Sequence, residues 1–320
     1  MSLLETDNLY VEYTSKKGFS RKEETIRAVN GASLDIRRGE VLSIAGESGC
    51  GKSTLAKAIM QLTDVKSGKI FFNGKDSINL KKKNELKNFY RKVQMIFQNP
   101  YSSLNPKMKI RQILAEPLEI NTNYSKKEIE KIIEEKIAQV GLDKTALNLY
   151  PHEFSGGQRQ RIAIAKALVP EPELIIADEP VSALDVSIQA QIINLIKDLK
   201  ENFNITFLFI SHDLSVIRYI SDRIAIMYLG EIVELGLTEE IFCNPKHPYT
   251  RALLASIPKI GKDECSANNY MNGELPSPNN LPKGCKFHTR CPYTMEKCKI
   301  QEPDEKFFSD FHTCKCFLYP

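Results

Sequence analysis

The chain has 320 residues, 42% hydrophobic and 26% charged, a composition that fits one large or two modest globular domains and excludes intrinsic disorder. Forty-four Lys and Arg against 40 Asp and Glu leave a net charge of +4, too small and too evenly spread to point to nucleic acid. The longest apolar stretch near an expected strand, Ile205 to Ile210 with one Thr inside it, is far short of the ~20 residues that span a bilayer. Met1-Ser-Leu-Leu-Glu-Thr-Asp carries no basic segment followed by an apolar one, so a cytosolic protein is expected. Its eight cysteines should then be thiols or metal ligands rather than disulfides. Cys50, Cys243 and Cys265 are scattered, whereas Cys285, Cys291, Cys298, Cys314 and Cys316 crowd the C-terminal end.

Through about residue 240, short apolar runs alternate with helical patterns, as in a largely parallel α/β sheet. Expected strands are Glu40–Ala45, Lys69–Phe72 before the turn-forming pair Asn73-Gly74, Val93–Phe97, Leu174–Ala177, Ile205–Ile210 and Arg223–Met227. Between Gln98 and Glu153, Ile129, Ile132, Ile133, Ile137 and Val140 follow helical spacing with Lys and Glu on the other face, which reads as a helical insertion. The run Lys81-Lys-Lys is a solvated helix start. From about residue 258 the texture turns to Asn, Pro and Gly, an irregular linker. The last 40 residues hold seven Lys/Arg, five Asp/Glu and five Cys, with little periodic apolar surface. Burial alone does not easily hold such a segment together.

Gly46-Glu47-Ser48-Gly49-Cys50-Gly51-Lys52-Ser53-Thr54 fits G-x-x-x-x-G-K-[ST], after an expected strand and before the helical run Leu55–Leu62. Glycines let the backbone wrap a phosphate, successive N–H groups and the helix N-terminus face the anion, Lys52 suits the β- and γ-phosphates, and Ser53 suits Mg²⁺. Leu174-Ile-Ile-Ala-Asp178-Glu179 adds two carboxylates at a strand end, one for magnesium and one to orient water. Together they specify a nucleotide triphosphatase.

Phe154-Ser155-Gly156-Gly157-Gln158, with Ser155 placed as the N-cap of a helix running through Leu168, resembles the signature of ATP-binding cassette (ABC) ATPases. Gln98, Ser182-Ala183-Leu184-Asp185 and His212 in Ser211-His-Asp213 follow in that family's order, and the resemblance covers about residues 3 to 258. Phe154 stands where Leu is commoner. The resemblance implies an α/β P-loop (RecA-like) core with an antiparallel β subdomain and a helical signature subdomain, followed by a small Cys-rich domain. The divisions are 1–258, with a helical insertion at about 99–165, and 259–320. By the same resemblance Tyr13 stacks on adenine; the loop from Gly46 to Thr54 binds ATP; Ser53, Gln98 and Asp178 hold Mg²⁺; Glu179 is the general base; and His212 contacts the γ-phosphate. Ser155, Gly156, Gly157 and Gln158 would close over nucleotide held by a second ATPase subunit, and Ser182 to Asp185 form the loop after the catalytic carboxylate.

Asn244-Pro-Lys-His247-Pro248-Tyr249-Thr-Arg251 resembles the C-terminal segment of oligopeptide and dipeptide importer ATPases, and Asp178 to Gln191 resembles the second ("F-type") of their paired ATPases. From the residues alone the His-Pro-Tyr segment is a turn feeding an amphipathic helix with Leu253, Leu254 and Ile257 inward. The implied partners are a paired ATPase in a heterodimer, two membrane permeases and, indirectly, an external peptide-binding protein. No nucleic acid is expected, and the implied place is the cytoplasmic face of the membrane. Residues Asn99 to Pro106 would lie between nucleotide and permease.

The spacing Cys285-x5-Cys291-x6-Cys298-x15-Cys314, with Cys316 nearby, gives thiolates that suit zinc or an iron–sulfur cluster. The importer resemblance implies a [4Fe-4S] cluster on Cys285, Cys291, Cys298 and Cys314, or Cys316 in place of Cys314, with Zn²⁺ the alternative. Related readings are an importer for nickel, a glycan or another small solute, and, from another class, a DNA-associated ABC ATPase. The stretch between Gln98 and Ser155 is short for the latter.

Overall fold

The computed structural model describes residues 2–16, 23–78, 80, 82–99, 103–257, 276–277 and 279–319. Lys81, the 100–102 part of the segment after Gln98, the expected linker from 258 to 275 with its domain boundary, and Cys265 lie outside the described residues. In chain order the elements are β1 (Ser2–Lys16), β2 (Glu23–Arg37), β3 (Val41–Ala45), α1 (Lys52–Ile59), β4 (Ser67–Phe72), β5 (Lys75–Asp76), α2 (Lys83–Lys92), β6 (Val93–Ile96), α3 (Ile110–Asn121) and α4 (Lys126–Gln139). There follow α5 (Gly156–Leu168), β7 (Leu174–Asp178), α6 (Val186–Phe203), β8 (Thr206–Ile210), α7 (Leu214–Ile220), β9 (Arg223–Tyr228), β10 (Glu231–Leu237), α8 (Thr238–Cys243), α9 (Pro248–Ala255), α10 (Glu296–Ile300), β11 (Glu305–Ser309) and β12 (His312–Lys315). Among the described residues no helix is long and apolar enough to cross a membrane.

The chain divides into two units. One comprises Arg37–Val41 and residues 79–210. Its strands β6, β7 and β8 are parallel, with Val93 opposite Leu174 and Leu174 opposite Thr206. Every residue of β7 and β8 is buried, which is why both read as unbroken apolar runs in the sequence. Helices α3 to α5 supply the expected insertion: Ile129, Ile133, Ile137 and Val140 are buried, and Ser125 caps α4 in a reciprocal box with Glu128.

The other unit comprises residues 2–36, 42–78 and 211–320. Four strands form a sheet in the order β2-β1-β4-β5, with β4 antiparallel to both β1 and β5. Asn73 and Gly74 turn β4 into β5 with φ of 53° and 71°, the two positive angles of a type I′ turn. A second sheet runs β3-β9-β10-β12-β11. Its β3 and β9 are parallel, but β10, β12 and β11 continue it antiparallel. The cysteine-bearing tail therefore adds a hairpin to a sheet edge, with Cys314 opposite Glu234.

Two features seat the tail. Phe287, 1% exposed, packs its ring against Tyr228 and Tyr249 at centroid distances of 5.3 and 5.4 Å, and those two tyrosines stand 4.6 Å apart. Such pairs contribute about 0.5–1.5 kcal/mol each beyond the area they bury. Glu234, also 1% exposed, accepts hydrogen bonds from the backbone N–H groups of Lys246 (2.6 Å) and His247 (2.9 Å) and from Nε2 of His312 (2.8 Å). A lone buried carboxylate is costly; three donors from two segments offset that cost and tie β10, β12 and the start of α9 together.

His247 caps α9 by accepting the Tyr249 N–H at Nδ1 (3.1 Å). Burial lowers its pKa to about 4, Glu234 acting against the fall and Arg251 with it. The unfolded chain takes up a proton near pH 6.5 that the folded chain refuses until about pH 4, so stability falls as pH drops through that window. Glu231, raised to about 6 by burial, gains stability over part of the same range, so only a comparison with a variant isolates His247. His247→Asn keeps a capping oxygen. Denaturant melts at pH 7 and 4.5 should show the parent losing about 2–3 kcal/mol more than this variant on acidification.

Candidate functional site

The expected nucleotide residues fall in both units. The loop from Gly46 to Thr54, Tyr13 and His212 belong to the unit built on β1 and β9; Gln98, Asp178, Glu179 and the signature belong to the unit built on β7.

The loop leaves β3 and enters α1 at Lys52. Its shape is forced by crowding. A Cβ on Gly46 would lie 2.2 Å from the Met227 carbonyl oxygen, and one on Gly51, whose φ is 107°, would lie 2.1 Å from the Ala28 carbonyl oxygen. Both are backbone atoms that cannot give way. The N–H of Gly230 donates to the Cys50 carbonyl at 2.8 Å, and the N–H of Asn30 to the Gly230 carbonyl at 2.9 Å. Lys52, 5% exposed, donates from Nζ to the carbonyls of Gly46 (2.8 Å) and Glu47 (3.0 Å). Cys50 is buried, and burial raises its thiol pKa against the pull of Lys52, which argues against a reactive thiolate in the loop. Tyr13 is 40% exposed on β1, its hydroxyl accepting from Thr63; its ring is on the surface rather than in the core.

In the other unit the structure brings two expected residues into contact. Nε2 of Gln98, just past β6, donates to Oε2 of Glu179 at 2.8 Å. Asp178 is buried at the end of β7. Glu179 holds a left-handed φ of 47°, pinned by its N–H to the Ile210 carbonyl (2.9 Å) and by its own carbonyl accepting from the Ser182 hydroxyl (3.2 Å). Asp185 caps α6 through the Ile188 N–H (3.0 Å), and that bond with the Ser187 hydroxyl holds its carboxyl below the usual range.

Ser155 caps α5 as its spacing predicts, its Oγ accepting the Gln158 N–H while the Gln158 side-chain oxygen accepts the Ser155 N–H at 3.0 Å. A Cβ on Gly157 would stand 2.5 Å from Cγ2 of Ile188, and one on Gly156 would stand 3.5 Å from Leu184. Phe154 is buried, as packing requires. His212 is exposed between β8 and α7.

Sequence reasoning missed two residues at the phosphate-binding loop. The Tyr249 hydroxyl accepts the Glu47 N–H at 2.9 Å, and the Arg290 guanidinium grips the Glu47 carboxylate with two bonds of 2.9 and 3.0 Å. The His-Pro-Tyr segment marks the importer resemblance and a helix start but gives no local sign of its contact with the loop, and nothing local marks Arg290.

Among the tail cysteines, Cys285 is close enough to Cys298, Cys316 and Cys291 to feel their charges, although burial is the main cause of its rise to about 12. Cys316, raised by burial to about 11, likewise feels Cys291 and Cys298. For Cys314 the leading charged neighbour after burial is Glu234. The Cys285 N–H donates to the Cys298 carbonyl at 2.9 Å. Among the described residues, however, no three His, Cys, Asp or Glu side chains converge as a metal-holding group.

Residues 29–182 match the family described as ABC transporter, and residues 233–298 match the oligopeptide/dipeptide transporter C-terminal region. The oligopeptide transport ATP-binding protein AppF of Bacillus subtilis (strain 168) is 51% identical over 94% of this chain and 92% of its own length. The dipeptide transport ATP-binding protein DppF of Escherichia coli (strain K12) is 45% identical over 95% and 91%. Among solved structures, the dimeric ATP-binding cassette MJ0796 bound to ADP and Pi is 31% identical with a TM-score of 0.64 over 73% of this chain and 98% of that one. The cbiO1 subunit of a Clostridium perfringens ABC transporter is 26% identical with a TM-score of 0.65 over 76% and 91%.

Gly157→Ala is expected to lower stability by about 1–3 kcal/mol, the usual cost of overpacking. Adding Ile188→Ala removes the obstructing methyl and leaves alanine's helix preference unopposed, so the double variant should recover at least to the level of Ile188→Ala alone in thermal melts.

Proposed function

The chain belongs to the ATP-binding subunits of peptide ABC importers, and from that premise we propose residue roles and an assembly for it. It hydrolyses ATP to power oligopeptide or dipeptide uptake through separate membrane permeases. The assembly is a pair of unlike ATPases, this chain being the second or "F-type" member, bound peripherally to two permeases on the cytoplasmic side of the membrane, with an external peptide-binding protein delivering solute.

The contact that carries the residue-level reading is Gln98 to Glu179. In the proposed mechanism Lys52 and the N–H groups of Gly46 to Thr54 bind the phosphates, and Tyr13 stacks on adenine. Ser53, Gln98 and Asp178 would hold magnesium, which when bound neutralises phosphate charge. Glu179 orients and deprotonates the attacking water, Gln98 fixes its carboxylate, and His212 contacts the γ-phosphate. Ser155, Gly157 and Gln158 act on nucleotide held by the paired subunit. Asn99 to Pro106 links the site to the permease, so that closure over ATP moves the membrane subunits.

Glu179→Gln is expected to retain ATP binding, to accumulate the closed ATPase pair and to lose solute-stimulated hydrolysis by at least a hundredfold when assayed with its permeases. Sustained turnover would remove Glu179 as the essential carboxylate.

The spacing of the tail cysteines and the importer resemblance support a [4Fe-4S] cluster, which would act as a staple, with zinc the alternative. Cys285, Cys291, Cys298 and Cys314 are the proposed ligands, with Cys316 the alternative to Cys314. In anaerobically purified protein, Cys298→Ser should lose iron and the broad absorbance at the edge of the visible, and whichever of Cys314→Ser and Cys316→Ser also loses both marks the fourth ligand. Colourless protein with stoichiometric zinc would favour the alternative.

A further inference from the structure

We propose that Arg290 is a positioning residue for ATP: from within the cysteine-bearing tail it fixes and neutralises Glu47 of the phosphate-binding loop, setting the loop's affinity for polyphosphate. The inference rests on the reading of Gly46 to Thr54 as the ATP-binding loop.

Every polar group of Glu47 is engaged. Its N–H goes to the Tyr249 hydroxyl (2.9 Å), its carbonyl accepts from Lys52 Nζ (3.0 Å) and from the Cys50 N–H (3.3 Å), and its carboxylate takes both Nη atoms of Arg290. Arg290 is 8% exposed and lies 5.9 Å from the centre of the Tyr228 ring. The loop residue and the arginine are 243 positions apart. A fork-to-fork ion pair fixes orientation as well as distance, so Arg290 helps to set the peptide whose carbonyl holds Lys52.

Docking the tail is not all that this pair does. Phe287 between Tyr228 and Tyr249, and Glu234 with His312, also seat it, and burying a guanidinium is costly even when it is paired. The charge is needed at Glu47. A carboxylate inside a loop built to receive a triphosphate opposes that ligand; paired with Arg290, it holds the loop without repelling the phosphates. Arg290 also directly precedes Cys291, so whatever fixes that thiol fixes the arginine's anchor.

The test is equilibrium binding of ATP to the full-length chain by calorimetry, with thermal melts alongside. Arg290→Ala should weaken ATP binding about tenfold. Glu47→Gln in the same chain should restore most of it, because the uncompensated charge is gone. Arg290→Lys, which keeps the charge but loses the fork, should fall between, and it serves as the probe if Arg290→Ala does not fold. The proposal is overturned if the arginine variants lower the melting temperature but leave ATP affinity unchanged, or if Glu47→Gln brings no recovery. Lys52→Ala separates the two readings: unchanged ATP affinity there would remove the loop assignment itself, whereas loss there with no effect at Arg290 removes only this inference.

Discussion

The tight approach of the phosphate-binding loop to the backbone beneath it governs the unit that carries it. Gly46 and Gly51 leave no room for a side chain over the carbonyls of Met227 and Ala28, and the turn after β9 threads between loop and β2 by way of Gly230. The folded loop therefore rests directly on β2 and β9. That makes an apparently local motif a product of segments from both ends of the chain, and it explains why the β9–β10 turn has Gly at 230 with a φ of 87°.

Two carboxylates then distribute the tail over this frame. Glu234 collects donors from the start of α9 and from β12; Glu47 collects Arg290 from the cysteine-bearing loop. Glu234 is buried and partnered on several sides, the condition under which a buried charge specifies an arrangement rather than weakening it. Between them sits the aromatic trio of Tyr228, Tyr249 and Phe287, so apolar burial and directed polar contacts meet at one seam. The tail has little apolar periodicity, and Phe287, with Leu281, Cys285 and Cys291, supplies apolar packing there.

What could be read from the sequence was local. The loop from Gly46 to Thr54, Asn73-Gly74, the Ser155–Gln158 cap and the buried strands β7 and β8 each announce themselves within a few residues, because their cause is a φ angle, a cap or a continuous apolar face. The full extent of β1 and β2, and the β10-β12-β11 edge, lacks such a signal. The largely parallel sheet expected from the α/β pattern holds for β3, β9 and β6 to β8 but gives way to antiparallel pairing at β10, where a tail with no alternating pattern completes the edge. Arg290 and Tyr249 were illegible for a different reason: their meaning lies in a partner some 200 or more positions away, and neither residue type is unusual where it stands.

Glu179 is set apart within the β7 unit by its backbone. A non-glycine residue in the left-handed region costs roughly 1–2 kcal/mol. The strain is held by the Ile210 carbonyl on one side and Ser182 on the other, and its effect is to turn the carboxylate out of the buried strand to where Gln98 can meet it. Asp178, one residue earlier, stays in regular strand and buried. Adjacent carboxylates on a straight strand would point to opposite faces; the left-handed step frees Glu179 from that alternation. Two acids next to each other in sequence thereby stand in different surroundings, Asp178 buried in the strand and Glu179 meeting Gln98 beyond its end.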